Sequence, residues 1–214
     1  VARHVGAGDR ARADHAAAQG LILATVFALV CALGAGQAAP ALFRLLDTEP
    51  AVSAAGRAFL GPLLLFSLPF FLSSNLEAIL RAHGDTRTPM LATAGAVLLN
   101  LLLDPFLIFG IGPFPRMGVA GAATATIVSQ SLAAALLVLH VLRQRELFPF
   151  LRRGLTAIDP REMGRLLRIG TPTALGVALF SFVYLFLSRT AATLGTNELA
   201  ILGVGNRLES LCYL

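Results

Sequence analysis

Asn100, Asp104 and Thr126 are the residues whose types and spacing could handle a cation or a proton. Asn100 and Asp104 are i and i+4, so on a helix they share one face. Asp104 is about seven residues from the end of its apolar run, roughly 10 Å deep at the helical rise. Thr126 is about nine residues into the next run. If the two runs are consecutive antiparallel helices, the depths match and a carboxylate, an amide oxygen and a hydroxyl converge. Oxygen ligands suit a hard cation, and the same carboxylate can instead take a proton. Pro105 has no N–H, so the Leu101 carbonyl lacks its usual helical partner. That carbonyl is open to water or a cation, or the helix bends there. The competing reading makes Asp104 a structural aspartate paired with Asn100 and Thr126. For Thr126 alone, helix packing competes with a ligand role.

The elements that must position these groups are long and apolar. Of 214 residues, 56% are hydrophobic and 14% charged, with mean hydropathy +0.75, against about 25% charged in a soluble domain. The expected fold class is an all-α polytopic membrane protein. Six apolar segments, at about 20–46, 54–82, 89–111, 117–142, 164–193 and 198–214, approach the ~20 residues that cross a bilayer. The last is cut short. Each is expected to be helical, because lipid offers no partner to an unpaired backbone group. Asp104 then lies at membrane depth, where a carboxylate costs several kcal/mol unless paired, hydrated or protonated. The chain begins without Met and stops inside an apolar run, so it reads as a piece of a longer protein.

All 17 basic residues are Arg. Their net charge of +5 is spread between apolar runs rather than gathered in a patch, so it orients the chain and predicts no nucleic-acid partner. With residues 1–19 and 143–163 cytoplasmic, twelve arginines fall on the inner side and four (Arg44, Arg57, Arg116, Arg189) on the outer, as the positive-inside rule expects. Residues 1–19 read as a solvated loop in which Asp9 could cap a short helix. In the turn at 81–89, Gly84 can end one helix in a left-handed conformation. Thr88 can cap the next, with Pro89 in its first turn. That turn is either simply well made or part of a gate. Residues 143–163 read as a linker broken by Pro149, Gly154 and Pro160, with Asp159 capping the next helix and a short amphipathic helix on the membrane surface.

Other polar residues have two readings each. Gln37 lines a cavity or bonds a neighbouring helix. Asn75 and Glu77 sit near the cytoplasmic end of their span, where Glu77 pairs with Arg81 at i+4 or takes part in inner gating. Tyr184 and Phe180 face substrate, or an apolar lipid or core face. Gly118, Gly121, Ala122, Ala123 and Ala125 form a close-packing face. Cys31 and Cys212 read as small core residues. The four histidines have no metal-ligand company, and no Ser/His or Cys/His pair shares one depth, so neither a metal site nor an enzyme is expected.

These motifs together resemble the multidrug and toxic compound extrusion (MATE) transporters. The resemblance is carried by Asn100-x3-Asp104-Pro105, by Gly84-Asp85-Thr86-Arg87-Thr88-Pro89 before it and by Gly118-x2-Gly121-Ala122-Ala123-x-Ala125-Thr126 after it. Gly6-Ala7-Gly8-Asp9 is similar to the family's loop between helices two and three. Arg168-Ile169-Gly170-Thr171-Pro172 is similar to the start of its seventh helix, and Asn206-Arg207-Leu208-Glu209 to its eighth. The Asn-x3-Asp-Pro form, and a span 164–193 without an acidic residue, are similar to the DNA-damage-inducible-type branch.

The resemblance implies helices three to eight of a twelve-helix, two-lobe transporter. Residues 1–142 would belong to the N-terminal lobe, 143–163 to the inter-lobe linker and 164–214 to the C-terminal lobe. It further implies export of amphipathic organic cations in exchange for H+ or Na+, with Asp104, Asn100 and Thr126 at the coupling site, a first-helix aspartate joining them, and Gln37, Asn75 and Tyr184 as candidate cavity-lining residues. No cofactor is expected beyond the coupling ion. The expected partners are the lipid bilayer, small organic cations and the remainder of the same chain, in a bacterial or archaeal cytoplasmic membrane. The alternative within transport is a lipid-linked oligosaccharide flippase, which would need a basic cavity that the Arg positions do not supply. An intramembrane enzyme or scaffold is the reading from a different class.

Overall fold

The computed structural model describes residues 1–46, 48–144 and 158–212, with no side-chain description at 196, 199 and 209–212. Eight helices occupy them: α1 (Ala2–Gly6), α2 (Arg10–Leu46), α3 (Pro50–Leu65), α4 (Leu68–Ala82), α5 (Arg87–Phe109), α6 (Val119–Arg143), α7 (Pro160–Leu194) and α8 (Thr196–Cys212). α2, α5, α6 and α7 are each long and apolar enough to cross a membrane, and α3 with α4, bent by 55° at the break between them, makes a fifth if the pair is one span. Where the sixth span is expected, α8 has 17 residues and is not among the helices long and apolar enough to cross a membrane.

Three expectations change. Residues 1–19 are not a loop. α2 already begins at Arg10, because Asp9 Oδ1 accepts the Arg12 N–H at 3.1 Å and the run after it is rich in alanine, the strongest helix former. The second apolar segment is broken rather than continuous. Pro69 lies in the first turn of α4, and its ring removes a donor and crowds the carbonyl four residues back, at Leu65, where α3 ends. Ser67 at the break donates from its hydroxyl to the Ala28 carbonyl at 3.1 Å, tying the bend to α2. The third change is in the 83–86 turn, where Thr88 is not the cap. Asp85 Oδ1 accepts the Thr88 N–H at 3.0 Å, since the aspartate precedes the helix and can reach an otherwise orphaned donor. Gly84 does take positive φ, +89°, and Asp85 N–H closes back on the Leu80 carbonyl at 3.0 Å, a Schellman-type ending.

The chain divides into two compact units, Val1–Ala35 with Ala58–Leu167, and Gly36–Arg57 with Arg168–Leu214. In the first, α5 packs along α6, and α6 also meets α4. Its core joins Ala17, Ala18 and Leu21 of α2 to Leu76, Ile79 and Leu80 of α4, Ala92 of α5, and Leu137 and Val141 of α6. The α5–α6 contact is close because of small residues. Ala123 and Ala125 are fully buried, and a Cβ on Gly121 would strike the Leu107 carbonyl. The connection 110–118 folds back over the end of α5, with Met117 N–H on the Leu107 carbonyl at 3.0 Å and Gly118 N–H on the Ile108 carbonyl at 3.2 Å. It thereby uses carbonyls that a helix end leaves unpaired. In the second unit, Phe43 packs against Gly56, Phe180 meets Tyr184 at 5.2 Å between ring centroids, and Leu45, Leu46, Phe182, Leu185, Phe186 and Arg189 line a small apolar pocket. Most large apolar side chains of α7 are exposed, among them Leu179, Phe182 and Phe186, as fits a helix whose solvent is lipid.

Candidate functional site

α5 and α6 bring Asn100 and Thr126 into direct contact. The Asn100 amide donates to the Thr126 hydroxyl at 3.3 Å. That hydroxyl donates in turn to the Ala122 carbonyl at 2.9 Å. Asp104 stands one turn along α5 toward the 110–118 connection, about 6 Å of helical rise from Asn100. Its carboxylate Oδ1 is buried with no hydrogen-bond partner among the described residues. The pairing of Asp104 with Asn100 and Thr126 that a purely structural aspartate would need at this oxygen is therefore not formed. Such an atom costs about 1–3 kcal/mol or more if it stays unpaired.

Asn100 and Thr126 also line a pocket of about 190 Å³ with Ala96, Val97, Ser129 and Gln130. Ser129 and Gln130 are not among the residues that the sequence singles out. They lie at i+3 and i+4 from Thr126 on α6, and that spacing was the available signal. Ser129 is 2% exposed, and its hydroxyl is buried without a partner among the described residues. The pocket is lined by neutral side chains, with Asp104 one turn beyond it.

The other candidates separate. Asn75, half-buried on α4, faces α2 at Gly20, where an added Cβ would lie 3.1 Å from its Oδ1. Glu77 pairs with Arg81 at 3.2 Å, and it also accepts from the Thr93 hydroxyl of α5 at 3.0 Å. Gln37 is exposed on the part of α2 that belongs to the second unit, and the half-buried Tyr184 of α7 belongs to that unit too. Neither joins the Asp104 group within one unit. Cys31 is half-buried. The middle of the expected linker, residues 145–157, lies outside the described residues, and so do the side chains of Glu209 and Cys212.

Two junctions form at the far end of this unit from Asp104. Asp85 Oδ2 faces His140 Nε2 at 3.2 Å, while its Oδ1 holds the Thr88 N–H. The Thr88 N–H, then the Thr88 hydroxyl, hold the Asp85 carboxyl below its ordinary pKa, with a smaller contribution from His140. Asp159 accepts from the N–H groups of Arg161 and Glu162 and so caps α7 as expected. Its Oδ2 lies 3.1 Å from His15 Nε2, and its N–H donates to the fully buried Gln19 at 3.1 Å. His15, followed by those N–H groups, lowers the Asp159 pKa.

A bundle of apolar spans with a carboxylate oxygen buried among them is that of an integral membrane protein. The family model MatE matches residues 1–106. A probable multidrug resistance protein NorM of Thermotoga maritima is 33% identical over 215 residues, covering 100% of this chain and 46% of that protein. A FAD transporter of Shewanella oneidensis is 36% identical over 137 residues, covering 62% of this chain and 29% of that protein. A solved inward-facing structure of a multidrug resistance MATE family transporter of the MOP superfamily aligns with TM-score 0.87 and 27% identity, over 98% of this chain and 47% of that one. The chain belongs to the MATE family, whose members are transporters and not enzymes. It spans about half the length of the curated relatives it matches.

Proposed function

We propose that this chain forms part of a secondary active antiporter that exports amphipathic organic cations in exchange for H+ or Na+, with Asp104 as the coupling carboxylate. The observation that carries the reading is the buried, unpartnered Asp104 Oδ1 beside the Asn100–Thr126 contact. A small cation or proton bound there lowers the cost of that oxygen. Asn100 has an amide oxygen left to offer a cation, since its N–H₂ holds Thr126. Thr126 has one lone pair remaining. Two conformations that differ in affinity for ion and drug are then sufficient for exchange. In this reading residues 1–142 belong to the first lobe, 143–163 link the lobes on the cytoplasmic side and 164–214 open the second. The Asn-x3-Asp-Pro form supports the DNA-damage-inducible-type branch, and the bacterial relatives support a cytoplasmic-membrane location.

The FAD transporter relative favours one competing reading, an anionic cargo. The neutral lining of the pocket at Asn100 and Ser129 supports a cationic one, because a dinucleotide would require basic groups there.

The test is efflux of a fluorescent organic cation from proteoliposomes carrying the intact protein. Wild type and Asp104→Asn are compared, with a pH gradient and a Na+ gradient imposed separately. Loss of gradient-driven efflux in a folded Asp104→Asn protein is expected, and the gradient that drives wild type names the ion. Undiminished coupling in the mutant would overturn the assignment. Transport of FAD but of no cation by wild type would select the competing cargo.

A further inference from the structure

A second pocket of the α5–α6 pair, of about 370 Å³, lies away from Asp104. It is lined by Thr88, Leu91 and Ala92 of α5 and by Leu136, Leu137, Leu139, His140 and Arg143 of α6. Leu91 precedes Asn100 by nine residues, and at about 100° per residue that is two and a half turns. Leu91 therefore lies on the side of α5 opposite Asn100. The rim of this groove is apolar, with Leu91 55% and Leu136 51% exposed, over a floor of buried Ala92 and Leu137. On a membrane-spanning helix, side chains so exposed meet lipid tails or another apolar surface.

One end of the groove is polar. α5 begins at Arg87 and α6 ends at Arg143, so the antiparallel pair puts Thr88, His140 and Arg143 together where the spans reach the bilayer surface. Arg143 is exposed and makes no ion pair with any described residue. The nearby carboxylate, Asp85, is outside the lining and already engaged by Thr88 and His140. A cationic head above an apolar wall mirrors a phospholipid, with its anionic phosphate at the surface and its chains running inward.

We infer that the groove between Leu91 and Arg143 is a binding site for an anionic phospholipid, with the phosphate on Arg143 and the upper acyl chain along Leu91, Leu136 and Leu139. The site holds the lipid's phosphate–glycerol region and the first part of a chain rather than the whole molecule. The inference uses only the membrane span and this groove, so it stands or falls separately from the transport reading.

The test is native mass spectrometry of the intact, detergent-purified protein equilibrated with equal amounts of phosphatidylglycerol and phosphatidylcholine bearing identical chains. Wild type is expected to retain phosphatidylglycerol several-fold over phosphatidylcholine. Arg143→Gln is expected to bring the ratio near one. Arg87→Gln, at the same surface but outside the lining, is expected to leave it unchanged. Equal effects of the two variants would mean diffuse attraction to basic loops and would overturn the site. So would an unchanged ratio in Arg143→Gln, or no lipid preference in wild type. Displacement of the lipid by millimolar inorganic phosphate alone would reassign Arg143 to a free anion and remove the acyl groove from the site.

Discussion

The amide of Asn100 donates to a Thr126 hydroxyl that is itself committed to the Ala122 carbonyl. The order of these two bonds decides what each residue can lose. Thr126→Val keeps the shape and frees the Ala122 carbonyl, which its own helical N–H partner can still satisfy. The Asn100 N–H₂ then loses its acceptor in a half-buried place. Asn100→Ala leaves Thr126 satisfied by Ala122. Thr126→Val is therefore expected to cost about 0.5–1.5 kcal/mol, and to cost less when Asn100 is already Ala. A double-mutant cycle on the thermal unfolding of the intact protein in detergent checks this. Strict additivity would mean that the 3.3 Å contact carries no energy.

Asp104 makes an opposite prediction for stability and for transport. Its buried Oδ1 has no partner among the described residues, so the carboxylate is retained at a cost to the folded state. Asp104→Asn removes the charge, and Asp104→Leu removes the unpaired oxygen altogether. Both are expected to leave the melting temperature unchanged or to raise it, with Leu gaining about 1–3 kcal/mol, while efflux falls in both. A melting temperature that drops in both variants would mark Asp104 as a structural residue with partners beyond those described. The comparison also separates misfolding from lost coupling.

Gly121 and Gly95 lie on neighbouring helices and predict opposite signs. A Cβ on Gly121 would strike the Leu107 carbonyl, whereas one on Gly95 has nothing within 4 Å. Gly121→Ala is expected to destabilise by about 1–3 kcal/mol, because backbone rather than a flexible side chain must move. Gly95→Ala is expected to stabilise by up to about 1 kcal/mol through helix propensity. Paired melting curves of the two variants measure both. Equal shifts would show that α5 and α6 are not held as closely as Gly121 requires.

Much of this was legible because apolar length and small-residue spacing are local signals. The α5–α6 pair, its Gly121–Ala125 contact face, the Asn100–Thr126 approach and the Asp159 cap all follow from positions along one or two helices. The misses share a different cause. The start of α2 at Arg10 depends on Asp9 reaching one N–H and on burial of Ala13, Ala16, Ala17 and Ala18 against other helices, which an Ala-rich polar stretch does not announce. The break at Phe66–Ser67 was signalled by Pro69, but hydropathy alone runs straight through it. Ser129 does not stand out in the sequence because a single serine in an apolar run is ordinarily bonded back to its own helix, and only packing shows that its hydroxyl has no partner among the described residues.

Asp85 gives the pH prediction, and its sign follows from the direction of its shift. The Thr88 N–H and hydroxyl, with His140, hold its folded pKa below the ordinary aspartate value of 3.8. A depressed carboxylate contributes stability that is fully present above the unfolded value and is lost as pH falls through the folded one. The capping bond itself is worth about 0.5–2 kcal/mol. Asp85→Ala is therefore expected to unfold more easily than wild type by about that amount at pH 7, and the gap should narrow as pH is lowered from about 5 toward 3. Asp85→Asn keeps an acceptor for the Thr88 N–H, so its deficit at pH 7 should be smaller than that of Asp85→Ala. Thermal unfolding of the three proteins at stepped pH measures the window. A wild-type advantage that grows on acidification would reverse the sign and remove Asp85 as the cap that starts α5.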